Sequence, residues 1–150
     1  ERQFYVGELI RYVFDKYEGI ARKKSIEMVF DEKEKYSVVT REDRIEQLLI
    51  ILLDNALKFS PEGGKVGIVF NKNGNKLYVT VWDTGEGISK EDIAHVFERF
   101  FTADRSHSTE GTGLGLAIAK EIVDNMGEKI YVTCQPDEGA RFTFTITDKI

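Results

Sequence analysis

The chain has 150 residues, 41% of them hydrophobic and 31% charged, with a formal net charge of −5; that suffices for one well-formed core and is short for two, so a single domain over residues 1–150 is expected. The acidic balance speaks against a nucleic-acid partner, because phosphate backbones need a basic surface. The longest unbroken apolar run, residues 48–53, is far below the roughly 20 residues that cross a bilayer, so no membrane-spanning helix is expected.

In chain order, Leu9, Ile10, Val13, Phe14, Tyr17, Ile20 and Ala21 recur at helical spacing and predict an amphipathic helix over 6–24. The residues before it, Glu1-Arg2-Gln3-Phe4, lack an initiator Met and a secretory pattern and read as a piece of a longer protein, whose parent could be membrane-bound. Ile26, Met28 and Phe30 alternate as a strand, and residues 36–39 suggest another. Thr40 followed by Asp43 resembles a capped helix start. The helix it opens carries Ile45, Leu48, Leu49, Leu52, Leu53, Ala56 and Leu57 on one face, and must end near Ser60-Pro61, since proline disfavours helix in the preceding residue.

Alternation at Val66-Ile68-Phe70 and Leu77-Val79-Val81 around Asn73-Gly74 predicts a hairpin. Ser89 with Asp92 starts a short helix through Ile93, Val96 and Phe97. Residues 101–111 are polar, have no apolar face, and read as a mobile loop. Helical spacing returns at Leu114, Ile118, Ile122 and Met126, closed by Gly127, and a second hairpin joins Ile130-Val132-Cys134 to Phe142-Phe144-Ile146. Hairpins without regular strand-helix-strand alternation imply an α+β fold, a two-layer α/β sandwich in which helices cover one face of a mixed, mostly antiparallel sheet and the other face is partly wet. The lone Cys134, inside an alternating pattern, is expected as a small buried apolar residue in a reducing setting.

Two glycine segments carry the chemistry. Asp83-Thr84-Gly85-Glu86-Gly87 follows a strand and places an acid at the mouth of a turn, and Gly111-Thr112-Gly113-Leu114-Gly115-Leu116 opens a helix whose N–H groups and dipole suit phosphate. Neither has the Lys-Ser/Thr ending of a P-loop or dinucleotide spacing. On the central helix Ile51, Asn55 and Lys58 share one stripe, with Asp54 beside it. An asparagine oxygen can ligate Mg²⁺ together with nucleotide phosphates, and a nearby lysine can neutralise them.

The segments Asn55-Ala56-Leu57-Lys58-Phe59, Asp83-Thr84-Gly85-Glu86-Gly87-Ile88, Val96-Phe97-Glu98-Arg99-Phe100-Phe101 and residues 111–116 resemble, in order, the N, G1, F and G2 boxes of bacterial sensor histidine kinases. The similarity runs over essentially the whole chain. It implies the Bergerat ATP-binding fold of the GHKL superfamily, shared with DNA gyrase, the heat-shock chaperone ATPase and MutL-type repair proteins. Carried over residue by residue, it makes Asn55 the Mg²⁺ ligand, Lys58 a phosphate contact and Asp83 the acceptor of the adenine amino group. Gly85 and Gly87 would let the backbone approach the base, with Phe59 and Ile88 also in the ATP site. Gly111, Thr112, Gly113, Leu114, Gly115 and Leu116 would close on the phosphates. Arg99 and Arg105 would be lid contacts to phosphate, and Phe97, Phe100 and Phe101 would anchor the lid by packing on the core. His95 and His107 lack the family's phosphoacceptor context.

The implied activity is transfer of the ATP γ-phosphoryl group to a histidine on the kinase's own dimerisation and phosphoacceptor helical domain, which this chain lacks. The implied partners are that domain and a downstream response regulator, in a homodimeric parent of the bacterial cell membrane whose catalytic domain is cytoplasmic. Two positions depart from the family. Ile51 stands where many members carry asparagine and hydrolysing relatives a glutamate base, and Glu128 stands where a second glycine is frequent. The rival readings are an anti-sigma serine kinase, a degenerate module that only reports ATP, and a hydrolytic clamp of the gyrase kind, which Ile51 disfavours.

Overall fold

The computed structural model describes residues 1–101, 114–134 and 138–148. A short strand β1 (Arg2–Tyr5) leads into helix α1 (Val6–Lys23); strands β2 (Glu27–Val29) and β3 (Ser37–Thr40) precede helix α2 (Glu42–Phe59). The β4 (Lys65–Asn73) and β5 (Lys76–Asp83) hairpin, a single helical turn α3 (Lys90–Ile93), helix α4 (Gly115–Met126) and the β6 (Ile130–Cys134) and β7 (Ala140–Thr147) hairpin follow. Five strands form one sheet in the order β2-β4-β5-β7-β6, parallel only between β2 and β4.

The expected α+β sandwich is present, and the pleat explains it. Along β5, Leu77, Val79, Val81 and Asp83 are buried while Tyr78, Thr80 and Trp82 are half-exposed, so one face packs under α2 and the other meets water. Ile45, Leu48, Leu49, Leu52 and Leu53 of α2 are all at most 1% exposed, which makes it the central helix the apolar pattern implied. It stops where Ser60, ahead of Pro61, turns to an extended ψ of 137°. Gly74, at φ +66°, takes the positive φ that the tight β4–β5 turn requires.

Three local expectations are corrected, and one strand appears that none anticipated. Thr40 does not cap α2: its backbone is committed to β3, paired with Arg2 of β1, so Arg41 takes the N-cap position without a side-chain bond, and Asp43 pairs with Arg41 at 3.2 Å. The strand β1 has no periodicity to announce it; it exists through its antiparallel pairing with β3. The helix after Ser89 is one turn, though Ser89 Oγ accepts from the Asp92 N–H at 3.2 Å as its spacing implied. Cys134 is half-buried and not merely apolar. Its thiol donates to the Ile88 carbonyl at 2.9 Å.

Glu128, by contrast, leaves its turn intact. Gly127 alone takes the left-handed conformation, φ +72°, and the buried Glu128 carboxylate accepts from the Thr145 hydroxyl at 2.7 Å and the Thr147 N–H at 2.9 Å. No helix among the described residues is long and apolar enough to cross a membrane.

Candidate nucleotide site

The end of β5, the last turn of α2 and the start of β7 meet around residues 83–88. Asp83 is 2% exposed, and its Oδ1 accepts from the Gly85 N–H at 2.8 Å and the Ala140 N–H at 3.4 Å. A buried carboxylate needs such donors. The turn that follows it and the neighbouring strand β7 therefore hold it in one orientation before any ligand arrives.

The glycines here answer to protein backbone as much as to a ligand. A Cβ on Gly85 would lie 2.5 Å from the Phe59 carbonyl oxygen and 3.0 Å from Asp83 Oδ1, so only glycine lets this loop pass the end of α2. Gly139, which reads in the sequence as a hairpin-turn residue alone, sits at φ +81° with its would-be Cβ 2.0 Å from the Asp83 carbonyl oxygen. That role leaves no signal in the chain beyond a turn glycine. Gly87 takes φ +80°, and Ile88 is buried, its N–H and carbonyl both bonded to the Cys134 thiol. Cys134, Gly139 and Ala140 thus complete the wall around Asp83, and no motif marked them.

The α2 stripe runs from this junction, at Phe59, back toward α4, at Ile51. Asn55, Lys58 and Phe59 are half-exposed in its last turn. The Asn55 side-chain amide nitrogen is buried without a hydrogen-bond partner among the described residues. Buried polar atoms are nearly always bonded, and a half-turn of the amide exchanges its N and O, so this position can present a ligating oxygen to a cation or a donor to phosphate. The residues fit the Mg²⁺ that a nucleotide would bring. Among the described residues no group of three or more His, Cys, Asp or Glu side chains could hold a metal ion.

Ile51 faces α4: a Cβ on Gly115 would meet its side chain at 3.6 Å, an ordinary contact. This sets Gly115, at the start of α4, against α2 one turn before Asn55. Leu114 occupies the N-cap position of α4 without a side-chain cap, which leaves the first-turn N–H groups to other acceptors; Gly115 is exposed and Leu116 half-buried. Asp54 is exposed and its charge acts on α1. Burial first, and the Asp54 carboxylate second, raise the Tyr17 phenol above its ordinary value.

The aromatic box divides. Phe97 packs edge-on against Phe142 at 6.1 Å, and the Phe101 ring lies 5.9 Å from His95. Phe100 does not pack on the core as expected: it is 71% exposed at φ +64°, because the chain turns through a left-handed residue there and carries the ring outward. The Arg99 guanidinium lies 4.0 Å from the Glu121 carboxylate of α4, an exposed pair of little energetic weight. Arg105, His107, Gly111, Thr112, Gly113 and the expected mobile loop lie outside the described residues.

The family model for the histidine kinase-, DNA gyrase B- and HSP90-like ATPases matches residues 40–150. The adaptive-response sensory kinase SasA of Rippkaea orientalis is 36% identical over 95% of the chain and 37% of its own length. The chain spans between 24% and 39% of the length of the curated relatives it matches. Among solved structures, the nucleotide-free catalytic domain of histidine kinase ThkA superposes with a TM-score of 0.86 at 35% identity, covering 97% of this chain and 94% of that one. ThkA has also been solved in complex with response regulator TrrA (TM-score 0.83, 33% identity, 98% of this chain and 41% of that one). Histidine kinase ShkA in complex with AMPPNP matches with a TM-score of 0.76 at 30% identity, over 92% of this chain and 29% of that one. The chain belongs to the histidine kinase-, DNA gyrase B- and HSP90-like ATPase family and has the fold of a histidine kinase ATP-binding catalytic domain.

Proposed function

We propose that this chain, as one catalytic domain over residues 1–150, binds Mg·ATP and passes the γ-phosphoryl group to a histidine on a helical phosphoacceptor domain of its own parent protein. The observation that carries it is the buried amide nitrogen of Asn55, without a partner among the described residues, which shares a helix turn with Lys58 and lies one turn beyond the α2–α4 contact. Asn55 would hold Mg²⁺, Lys58 would neutralise phosphate charge, and the α4 N-terminus with residues 111–116 would donate backbone N–H groups. Asp83 would accept from the adenine amino group, between Phe59, Gly85, Gly87 and Ile88. Arg99 and Arg105 would reach the phosphates once the lid closes.

When bound, Mg·ATP supplies the transferable group, and the protein's task is positioning and charge neutralisation. Ile51 cannot take a proton, and Asp54 lies about 100° round the helix from Asn55, so neither would activate water beside it. The acceptor histidine supplies the nucleophile. The parent would be a homodimeric sensor of the bacterial cell membrane with this domain in the cytoplasm, passing its phosphoryl group to a response regulator.

Incubation of the chain with γ-labelled ATP and a separately supplied acceptor domain tests this. Acid-labile, base-stable label on the acceptor, formed much faster than free phosphate, is the expected result. Rapid phosphate release by the chain alone would instead identify a hydrolase, label on a serine the anti-sigma type, and no label a binding module.

A further inference from the structure

Two helices end at the same place, and one lysine joins them. Lys24 is the C-cap of α1, its N–H bonded to the Ala21 and Ile20 carbonyls at 3.1 and 3.2 Å. Its ammonium donates to the Leu57 carbonyl at 2.5 Å and reaches the Lys58 carbonyl at 3.5 Å, both in the last turn of α2. The last carbonyls of a helix lack intrahelical partners, and each C-terminus carries about half a negative charge. Two such ends brought together repel unless a cation lies between them.

The chain is bent to put it there. Ser25 takes a left-handed φ of +56°, where glycine is usual, so that the Ile26 N–H closes on Ala21 at 2.9 Å and the Ser25 carbonyl accepts from the Gly63 N–H beyond α2 at 3.0 Å. On its other side the same α2 turn abuts Gly85 at the Phe59 carbonyl. The turn that carries Asn55 and Lys58 is thus clamped between Lys24 and the Asp83 loop.

We propose that Lys24, which lies outside all four sequence boxes, is a positioning residue for the phosphate end of the nucleotide site. Its charge holds the last α2 turn in register, so that Asn55 and Lys58 meet Mg²⁺ and phosphate without reorganising. This rests on reading those two residues as the phosphate end.

Calorimetry of the 150-residue chain with ATP, with and without Mg²⁺, tests it. The native chain gains affinity from Mg²⁺; if it binds ATP with no such gain, the assignment of Asn55 fails whatever Lys24 does. Lys24→Met keeps the aliphatic stem and loses the charge, and should weaken Mg·ATP binding roughly three- to tenfold, the loss falling on the Mg²⁺-dependent gain. Lys24→Arg should restore most of it. Val13→Ala, a core truncation in α1, should lower the melting temperature and leave the gain intact. Should Lys24→Met not fold, Lys24→Gln, which keeps a donor without charge, should lose part of the Mg²⁺-dependent gain that Lys24→Arg keeps. A folded Met or Gln variant with the native Mg²⁺ gain would overturn the proposal, as would an equal loss of the gain in Val13→Ala.

Discussion

The Asp83 end of the site is finished and the Asn55 end is not. Asp83 is buried with two backbone donors on one oxygen, and its loop is wedged between α2 and β7 so closely that neither Gly85 nor Gly139 has room for a Cβ. At the other end, among the described residues, a buried amide lacks a partner and α4 begins without a side-chain cap, and Phe100 stands exposed in a left-handed conformation. A recognition surface for a rigid, flat base can be built in advance, whereas groups meant for a multiply charged chain keep polar capacity in reserve. The contrast predicts where substitutions cost stability and where they cost function.

The sharpest break is Gly139→Ala. A methyl 2.0 Å from a backbone carbonyl, at a φ of +81°, cannot be relieved by a side-chain move. A loss of ~3 kcal/mol of stability is expected, with nucleotide binding lost alongside it; a variant melting within a degree or two of the native chain would show that the Asp83 wall is not rigid.

Asp83→Asn comes next. Its amide oxygen can keep the Gly85 and Ala140 donors, which turns the NH₂ toward the position of the adenine amino group, donor against donor. ATP affinity should fall tenfold or more, about 1.4 kcal/mol, with little change in melting temperature. Unchanged affinity by calorimetry would remove the adenine assignment.

Asn55→Ala separates the two ends. Because the native amide nitrogen has no partner among the described residues, deleting it should leave stability unchanged or raise it by up to about 1 kcal/mol, while phosphoryl transfer is abolished. A clear drop in melting temperature would mean that the amide serves the fold. The smallest effect is reserved for Phe100→Gly, which gives up an exposed ring and relieves the left-handed strain. Thermal denaturation should show a gain of about 1 kcal/mol, and a loss would mean that the ring packs in solution.

What was legible in the chain follows from which interactions are local. The α2 stripe, its stop at Ser60, both long hairpins and the Gly127 cap rest on periodicity and on residues with restricted φ, which act over a few positions. The Thr40 cap was misread for the opposite reason. Its backbone was claimed by a strand 38 residues away in sequence, Arg2 of β1 opposite Thr40 of β3, which no local rule anticipates. Phe100 likewise looks like its neighbours Phe97 and Phe101, and only the path of the backbone turns it outward.

By itself the sequence determined the order of elements from α1 onward, the apolar faces and the family, because these depend on residue type at fixed spacing. Tertiary structure alone decided that Gly139 and Ala140, more than fifty residues from Asp83, would build its wall, that Cys134 would bond Ile88, and that the Lys24 ammonium would close the end of α2. Those contacts join groups distant in the chain. Their geometry follows from the sheet order β2-β4-β5-β7-β6 and from two helices ending side by side, and neither is written in any single segment.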